Sequence, residues 1–300
     1  MGSSFWDVQR ANKIKSWALI LAVSLIVFAL VSFAGWLTDG GEWILPVALV
    51  FALIYAAGGY FYGDSIVLAV HGAKPADPQA DAYVYNTVEG LALAAQIPKP
   101  KLYIIDDPTP NAFATGRDPE HASIAVTTGL YKMMNRQELE GVLAHEMSHI
   151  KNFDSRFMTL TIVMVGLVAI MANIIGRGMW LGGGRRDDRG GGGALAIIGL
   201  LLVIFGPFLA QLIQLAISRS REYLADASGA QLTRNPEGLA SALEKLKGTP
   251  PMRSANSATA SLFISDPVHG GDKKGIGQQL TGLFSTHPAL DDRIAALRKM

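Results

Sequence analysis

NRQELEGVLAHEMSHI, residues 135–150, is the stretch on which the reading of this chain turns. Its apolar residues recur with a helical period, and Asn135 followed by Glu138 matches a helix N-cap with a capping box. Inside it, His145-Glu146-Met147-Ser148-His149 is an H-E-x-x-H motif. Spacing of i, i+4 sets both imidazoles on one face, one turn apart, as adjacent ligands of a single tetrahedral zinc ion. Glu146 is turned about 100° from His145, so its carboxylate falls beside the metal and serves as a base toward the attacking water. With six histidines and nine glutamates in 300 residues, chance supplies only about 0.004 such matches.

A catalytic zinc takes three protein ligands and keeps one position open. REYLAD, residues 221–226, offers Glu222 and Asp226 at i, i+4 on a second helix. A Glu from a second helix suits the third ligand position, and a carboxylate one turn on can accept the free ring N–H of a ligating histidine. On spacing alone the rival reading stays open: ordinary solvated carboxylates at a helix start. The chain has no cysteine, which excludes a disulfide framework, a thiol nucleophile and thiolate ligation. Any metal therefore rests on histidine and carboxylate.

The surrounding chain is not simply soluble. Hydrophobic residues make up 50% and charged residues 17%, and the mean hydropathy is +0.27. Four stretches carry no Asp, Glu, Lys or Arg: 16–38, 43–63, 157–176 and 190–218. Outside them the charged fraction rises to about 25%, the ordinary value for a water-facing domain. A net charge of +1 implies no bulk attraction to nucleic acid.

Residues 16–38 and 43–63 are each long enough to cross about 30 Å of hydrocarbon. The first is too long for the core of a cleavable signal peptide and is followed at once by a second apolar run. Pro46 lies near the start of the second, where proline is tolerated. Arg10, Lys13 and Lys15 precede the first run, whereas the connecting loop holds Asp39 and Glu42. The positive-inside rule then places the N-terminus and everything from Asp64 onward in the cytoplasm. The third and fourth runs flank GGGRRDDRGGGG at 182–193, a Gly-rich link with Arg185, Arg186 and Arg189. If both runs span, that basic link sits outside, against the rule; a partial insertion is the alternative.

These observations divide the chain into a transmembrane hairpin (1–63), a first catalytic part with the zinc helix (64–156), a second hydrophobic hairpin (157–218) and a second catalytic part (219–300). In the first part KLYIID (101–106), NAFATG (111–116) and ASIAVTT (122–128) read as short strands. Residues 219–247 read as helical up to Gly248 and Pro250, 248–286 as a long loop or lid, and PALDDRIAALRKM as a closing helix. Asn111, Ala112, Phe113 and Ala114 suit an edge strand that pairs with an extended substrate. An ordinary internal strand is the equal alternative. His287, before Pro288, is a candidate oxyanion donor, whereas His71, His121 and His269 lack partners at ligand spacing and read as surface residues.

HEMSH at 145–149, then a hydrophobic pair, then REYLAD at 221–226, resembles the HtpX family of bacterial membrane zinc metalloproteases, relatives of the CAAX prenyl proteases. The likeness runs over essentially the whole chain, including NAFATG and THPALDDRIAAL. It implies an α+β membrane protein with four hydrophobic helices in two hairpins and a zincin-like (gluzincin) catalytic domain. It further implies one zinc ion on His145, His149 and Glu222, Glu146 as catalytic base, and an endopeptidase of the cell inner membrane that faces the cytoplasm. Its substrates would be misfolded membrane proteins or unfolded polypeptides, in quality control under stress. A zinc hydrolase of non-peptide amides and a membrane scaffold or chaperone with a structural zinc are the competing functions. A structural zinc needs four protein ligands, and the sequence offers three.

Overall fold

The computed structural model describes residues 5–37, 41–164, 166, 219–253, 259–268 and 288–300. Most of the second hydrophobic pair, the 182–193 link, His269 and His287 lie outside the described residues. The chain divides into two compact units, one of Met1–Lys13, Gly63–Thr159 and Ile217–Met300, the other of Ile14–Tyr62 and Leu160–Ala216.

Helices α1 (Phe5–Leu37) and α2 (Ile44–Val70) supply most of the described part of the apolar unit, with residues 160–164. Both are long and apolar enough to cross a membrane, with stretches that reach mean hydropathies of 2.4 within Asp7–Ser32 and 2.0 within Gly41–Val70. Helices suit that role because every backbone polar group is satisfied within the segment. Leu21, Leu25, Leu49, Leu53 and Ile54 point outward and are exposed, an apolar exterior suited to lipid. Within this unit Trp17 stacks on Tyr60 at 5.6 Å, and the Tyr55 hydroxyl donates to the Met164 carbonyl. Pro46 is the third residue of α2, where the missing N–H is one of the helix's orphan donors anyway.

The other unit is built on a four-stranded mixed sheet of order β1-β2-β4-β3, with β1 at Lys74–Pro75, β2 at Lys101–Ile105, β3 at Ala112–Gly116 and β4 at Ala122–Thr127. β2 and β4 run parallel; β3 turns back antiparallel on β4, with Ala112 opposite Val126, and so forms an edge. Helix α3 (Ala82–Ala95) and the short α4 (Thr128–Met133) flank the sheet segments, and α5 (Arg136–Lys151) carries the H-E-x-x-H motif. The capping box anticipated at α5 is present, with Asn135 accepting from the Glu138 amide and Glu138 accepting from the Asn135 amide. A further helix, α6, is described over 154–164.

After the apolar pair come α7 (Arg219–Thr233), α8 (Pro236–Leu246) and α9 (Leu290–Leu297). The single helix expected over 219–247 is two. Arg234 has φ 54°, Asn235 caps the next helix and Pro236 occupies its first position, so the chain turns there. The core joins β4 (Ile124, Val126) to α5 (Leu139, Val142, Leu143, Met147, Ile150), α8 (Leu239, Leu243, Leu246) and α9 (Ile294, Leu297). Each such side chain contributes about 1.5–3 kcal/mol by leaving water. Two glycines let backbones meet around α5. A Cβ on Gly229 of α7 would lie 3.0 Å from the His145 nitrogen, and one on Gly141 would lie 2.7 Å from the Leu239 nitrogen of α8.

Candidate metal centre

The centre stands in the interior because α5 does. Residues 141–150 are buried throughout, so the polar side chains of the motif must find partners inside the protein. His145 Nε2 and His149 Nε2 lie 3.2 Å apart, with their rings edge to face. Glu222, on the first turn of α7, reaches the same point: its Oε2 is 3.7 Å from His145 Nε2, and its Oε1 is 3.6 Å from His149 Nε2. One ligand atom from each of the three lies within 4.8 Å of the others. Gly229, two turns along α7, is what lets the Glu222 helix lie this close to α5.

Each imidazole is oriented from behind by a carboxylate. Asp226 Oδ1 is 2.9 Å from His145 Nδ1, and Asp154 Oδ2 is 3.2 Å from His149 Nδ1. Both contacts leave the Nε2 atoms turned toward Glu222, the tautomer that a metal ligand requires. Asp226 is itself gripped by Arg293 of α9, with Nε and Nη2 donating at 2.8 and 2.7 Å. The third arm of Arg293, Nη1, donates to the Ile264 carbonyl at 3.1 Å and lies 3.6 Å from Glu222 Oε2.

The electrostatics differ sharply from group to group. Burial pushes the Glu146 carboxyl up to about 7; Glu222 adds to the rise, while His149, Arg293 and the Ala114 amide oppose it. Neither Glu146 oxygen closes a conventional hydrogen bond, which leaves the carboxylate available to a reacting group. Burial disfavours a charge on His149, yet the Asp154 hydrogen bond and the negative Glu222 outweigh it and raise the ring to about 9. At His145 burial, aided by Arg293, prevails over Asp226 and lowers the pKa. Burial also disfavours the Asp226 carboxylate, but Arg293 holds it down at about 2. A metal held on His149 would have to displace that proton, so the affinity of such a site would rise with pH.

The donor set fits a divalent metal of the zinc type: two ring nitrogens and a carboxylate, all buried, with the Glu146 carboxylate alongside. Such a cation supplies Lewis-acid polarisation of a carbonyl and a lowered water pKa.

The remaining expected residues are placed as follows. Asn111, Ala112, Phe113 and Ala114 lie at and along the edge strand β3, and part of its outer edge is held by the chain itself. Phe113 forms a bridge with Phe263, the Ile264 amide donates to the Ala112 carbonyl at 3.0 Å, and Asn111 Nδ2 donates to the Ser265 carbonyl at 2.9 Å. His121 is at the surface beside Asp118. His71 is not: it is 3% exposed, its Nε2 lies 2.8 Å from the Thr259 hydroxyl, and its ring packs on Phe113 and Phe263. It follows α2 directly, and the turn there brings it under the 259–268 segment. Asp154 and Arg293 were missed in the sequence. Arg293 did leave a signal: Leu290, Arg293, Ile294 and Leu297 share the i, i+3, i+4, i+7 face of α9, so a charge stands in a core stripe.

A buried H-E-x-x-H helix crossed by a helix bearing a third acidic donor defines a metalloprotease that hydrolyses peptide bonds. Comparison agrees: residues 78–300 match the model of peptidase family M48. A protease HtpX homolog of Caldanaerobacter subterraneus subsp. tengcongensis is 45% identical over 99% of this chain and 98% of its own length. Those of Dictyoglomus thermophilum and Streptococcus gordonii are 44% and 43% identical, over 99% and 97% of this chain and 95% and 98% of their own lengths. The chain belongs to peptidase family M48 and, within it, to the HtpX proteases, and with its two apolar helices it is a membrane metalloprotease. The crystal structure of S. mikatae Ste24p shares the fold at a TM-score of 0.51 and 18% identity, over 97% of this chain; the chain spans 66% of the Ste24p chain.

Proposed function

We propose that this protein is a zinc endopeptidase of the bacterial inner membrane that cleaves misfolded or damaged membrane proteins on the cytoplasmic side, in quality control under stress. The observation that carries the reading is the convergence of His145, His149 and Glu222 within 4.8 Å, beside the buried Glu146 carboxylate. His145, His149 and Glu222 hold the zinc; Asp226 and Asp154 fix the two rings. Glu146, poised near 7, takes a proton from the attacking water on its carboxylate oxygen and delivers it to the departing amine. Of the Asn111–Ala114 edge, Asn111, Ala112 and Phe113 are held by residues 263–265 of the chain itself, so an extended substrate adds to β3 from the Ala114 amide, which is turned toward Glu146. By its place just before Pro288 and α9, His287 is the candidate donor to the tetrahedral oxyanion.

The orientation rests on Arg10, Lys13 and Lys15 before α1 against Asp39 and Glu42 in the following loop. The second hydrophobic pair completes a four-helix anchor in two hairpins. The test is cleavage of an unfolded casein by detergent-purified protein, with and without a chelator. Activity that disappears with the chelator and returns with added zinc supports the reading. Chelator-resistant cleavage, or turnover confined to small non-peptide amides, overturns it.

A further inference from the structure

Helix α5 ends at Lys151 with Asn152 as its C-cap, where the last carbonyls of a helix have no partner inside it. Two side chains from the opening turns of α1 supply the missing donors. Gln9 Nε2 donates to the Lys151 carbonyl at 2.7 Å, and Asn12 Nδ2 donates to the Asn152 carbonyl at 2.8 Å. They stand i, i+3 on α1 and so share a face. One residue on, the Lys13 ammonium lies 4.2 Å over the Phe153 ring, at the point where the chain turns out of α5 through a φ of 60°. These residues all belong to the catalytic unit.

Asn12 does more than cap. Its Nδ2 also donates to Asp154 Oδ1 at 2.7 Å, and an amide nitrogen has one hydrogen for each of the two acceptors. Asp154 is fully buried, and its other oxygen is the one 3.2 Å from His149 Nδ1. Arg221 Nε lies 3.8 Å from the same Oδ1, longer than the 2.7 Å hydrogen bond from Asn12. A buried carboxylate holds one orientation only while donors fix its oxygens. Asn12 therefore stands at the head of a continuous chain, Asn12 to Asp154 to His149, leading from the first apolar helix to the metal centre.

We propose that Asn12 is a positioning residue of the metal centre: by holding Asp154 it fixes the His149 ring, so that metal affinity depends on the docked opening turn of α1. The inference rests on His149 being a metal ligand, as proposed above.

The test is the zinc affinity of the full-length protein in detergent, measured by competition with a chromogenic chelator, together with the melting temperature of each variant. Asn12→Leu, which keeps the volume and removes the donor, is expected to weaken zinc binding about 10-fold, the lower end of what losing a partner behind a ligand costs. Gln9→Leu removes a cap of the same helix without touching Asp154, and its zinc affinity should stay at the wild-type value even if its melting temperature falls. Asp154→Asn should weaken binding, and adding Asn12→Leu to it should weaken binding no further, since both act through one contact. Asn12→Asp, which is isosteric and places an acceptor against two acceptors, repeats the test if the leucine variant folds poorly.

Wild-type affinity in both Asn12 variants, equal weakening in Gln9→Leu, or full additivity with Asp154→Asn each overturns the proposal. A wild-type chain without tightly bound zinc refutes the metal centre itself. Tight wild-type binding with unaffected Asn12 variants refutes only this step.

Discussion

Replacing Arg293 by methionine removes the cation on which the interior of the catalytic unit is balanced. The guanidinium is fully buried and makes two hydrogen bonds to Asp226 and one to the Ile264 carbonyl. Arg293→Met leaves the Asp226 carboxylate buried against the His145 ring alone. Breaking a buried pair from one side costs about 3–5 kcal/mol, because the surviving charge is uncompensated. At roughly 2–4 °C per kcal/mol for a domain of this size, the melting temperature should fall by roughly 6–20 °C. Far-ultraviolet circular dichroism during heating of the detergent-solubilised protein reads it, since four of the five tryptophans lie in the other unit. The control is Arg298→Met, which removes an exposed cation paired with Glu237 and Glu244 and should shift melting hardly at all.

The double variant Arg293→Met with Asp226→Leu should regain most of the lost melting temperature, since an apolar replacement of a buried pair is often neutral. It should not regain metal affinity, because His145 has then lost the carboxylate behind it. The acid limb gives a second readout on chelator-stripped protein. Asp226 is depressed to about 2 in the folded protein from an ordinary value of 3.8. It therefore contributes about 2 kcal/mol that is fully present above pH 4 or so and disappears as the pH falls toward 2. Asp226→Leu should lack that portion of the acid sensitivity. If Arg293→Met melts no lower than Arg298→Met, the claim that the Arg293–Asp226 pair organises the interior is wrong.

Three further outcomes follow from the same geometry. Gly229→Val should force α7 away from His145 and lower zinc affinity at least 10-fold on the scale of supporting-residue losses, measured by chelator competition; unchanged affinity would show that the close approach is dispensable. Ala114→Pro should leave the ladder to β4 intact, since that amide faces the outer edge, and should abolish casein cleavage while zinc content is retained; normal cleavage would rule out β3 as the substrate edge. Reporter fusions after residue 15, after residue 75 and at the C-terminus should all report the cytoplasm, and one in the 39–42 loop the outside. A C-terminus opposite to residue 75 would separate Glu222 from the histidines, which the structure forbids.

What could be read from the sequence was local. The H-E-x-x-H helix, its Asn135–Glu138 capping box and the strands at 101–105, 112–116 and 122–127 each announce themselves within a few residues, by period, cap or turn. Glu222 and Asp226 were visible because they share one turn of one helix. The residues that orient the centre were not, because each acts across a long stretch of chain: Asn12 reaches Asp154 over 142 positions, and Arg293 reaches Asp226 over 67. Asp154 stands just past the end of α5, five residues from His149, and a carboxylate so near a ligating histidine was the available hint. His71 misled for the opposite reason. A lone histidine has no period to reveal that its turn folds back on Phe113 and Phe263.

The central claim is that three residues hold the metal while a fourth moves the proton, and a paired measurement of zinc content and casein cleavage separates these roles. Glu146→Ala should keep close to one zinc per chain and lose cleavage, since its carboxylate lies beside the ligand set and not within it. Glu222→Ala should lose both, because two histidines alone make a poor zinc site. A Glu222→Ala protein that retained full zinc and full activity, or a Glu146→Ala protein that cleaved casein at the wild-type rate, would contradict the account.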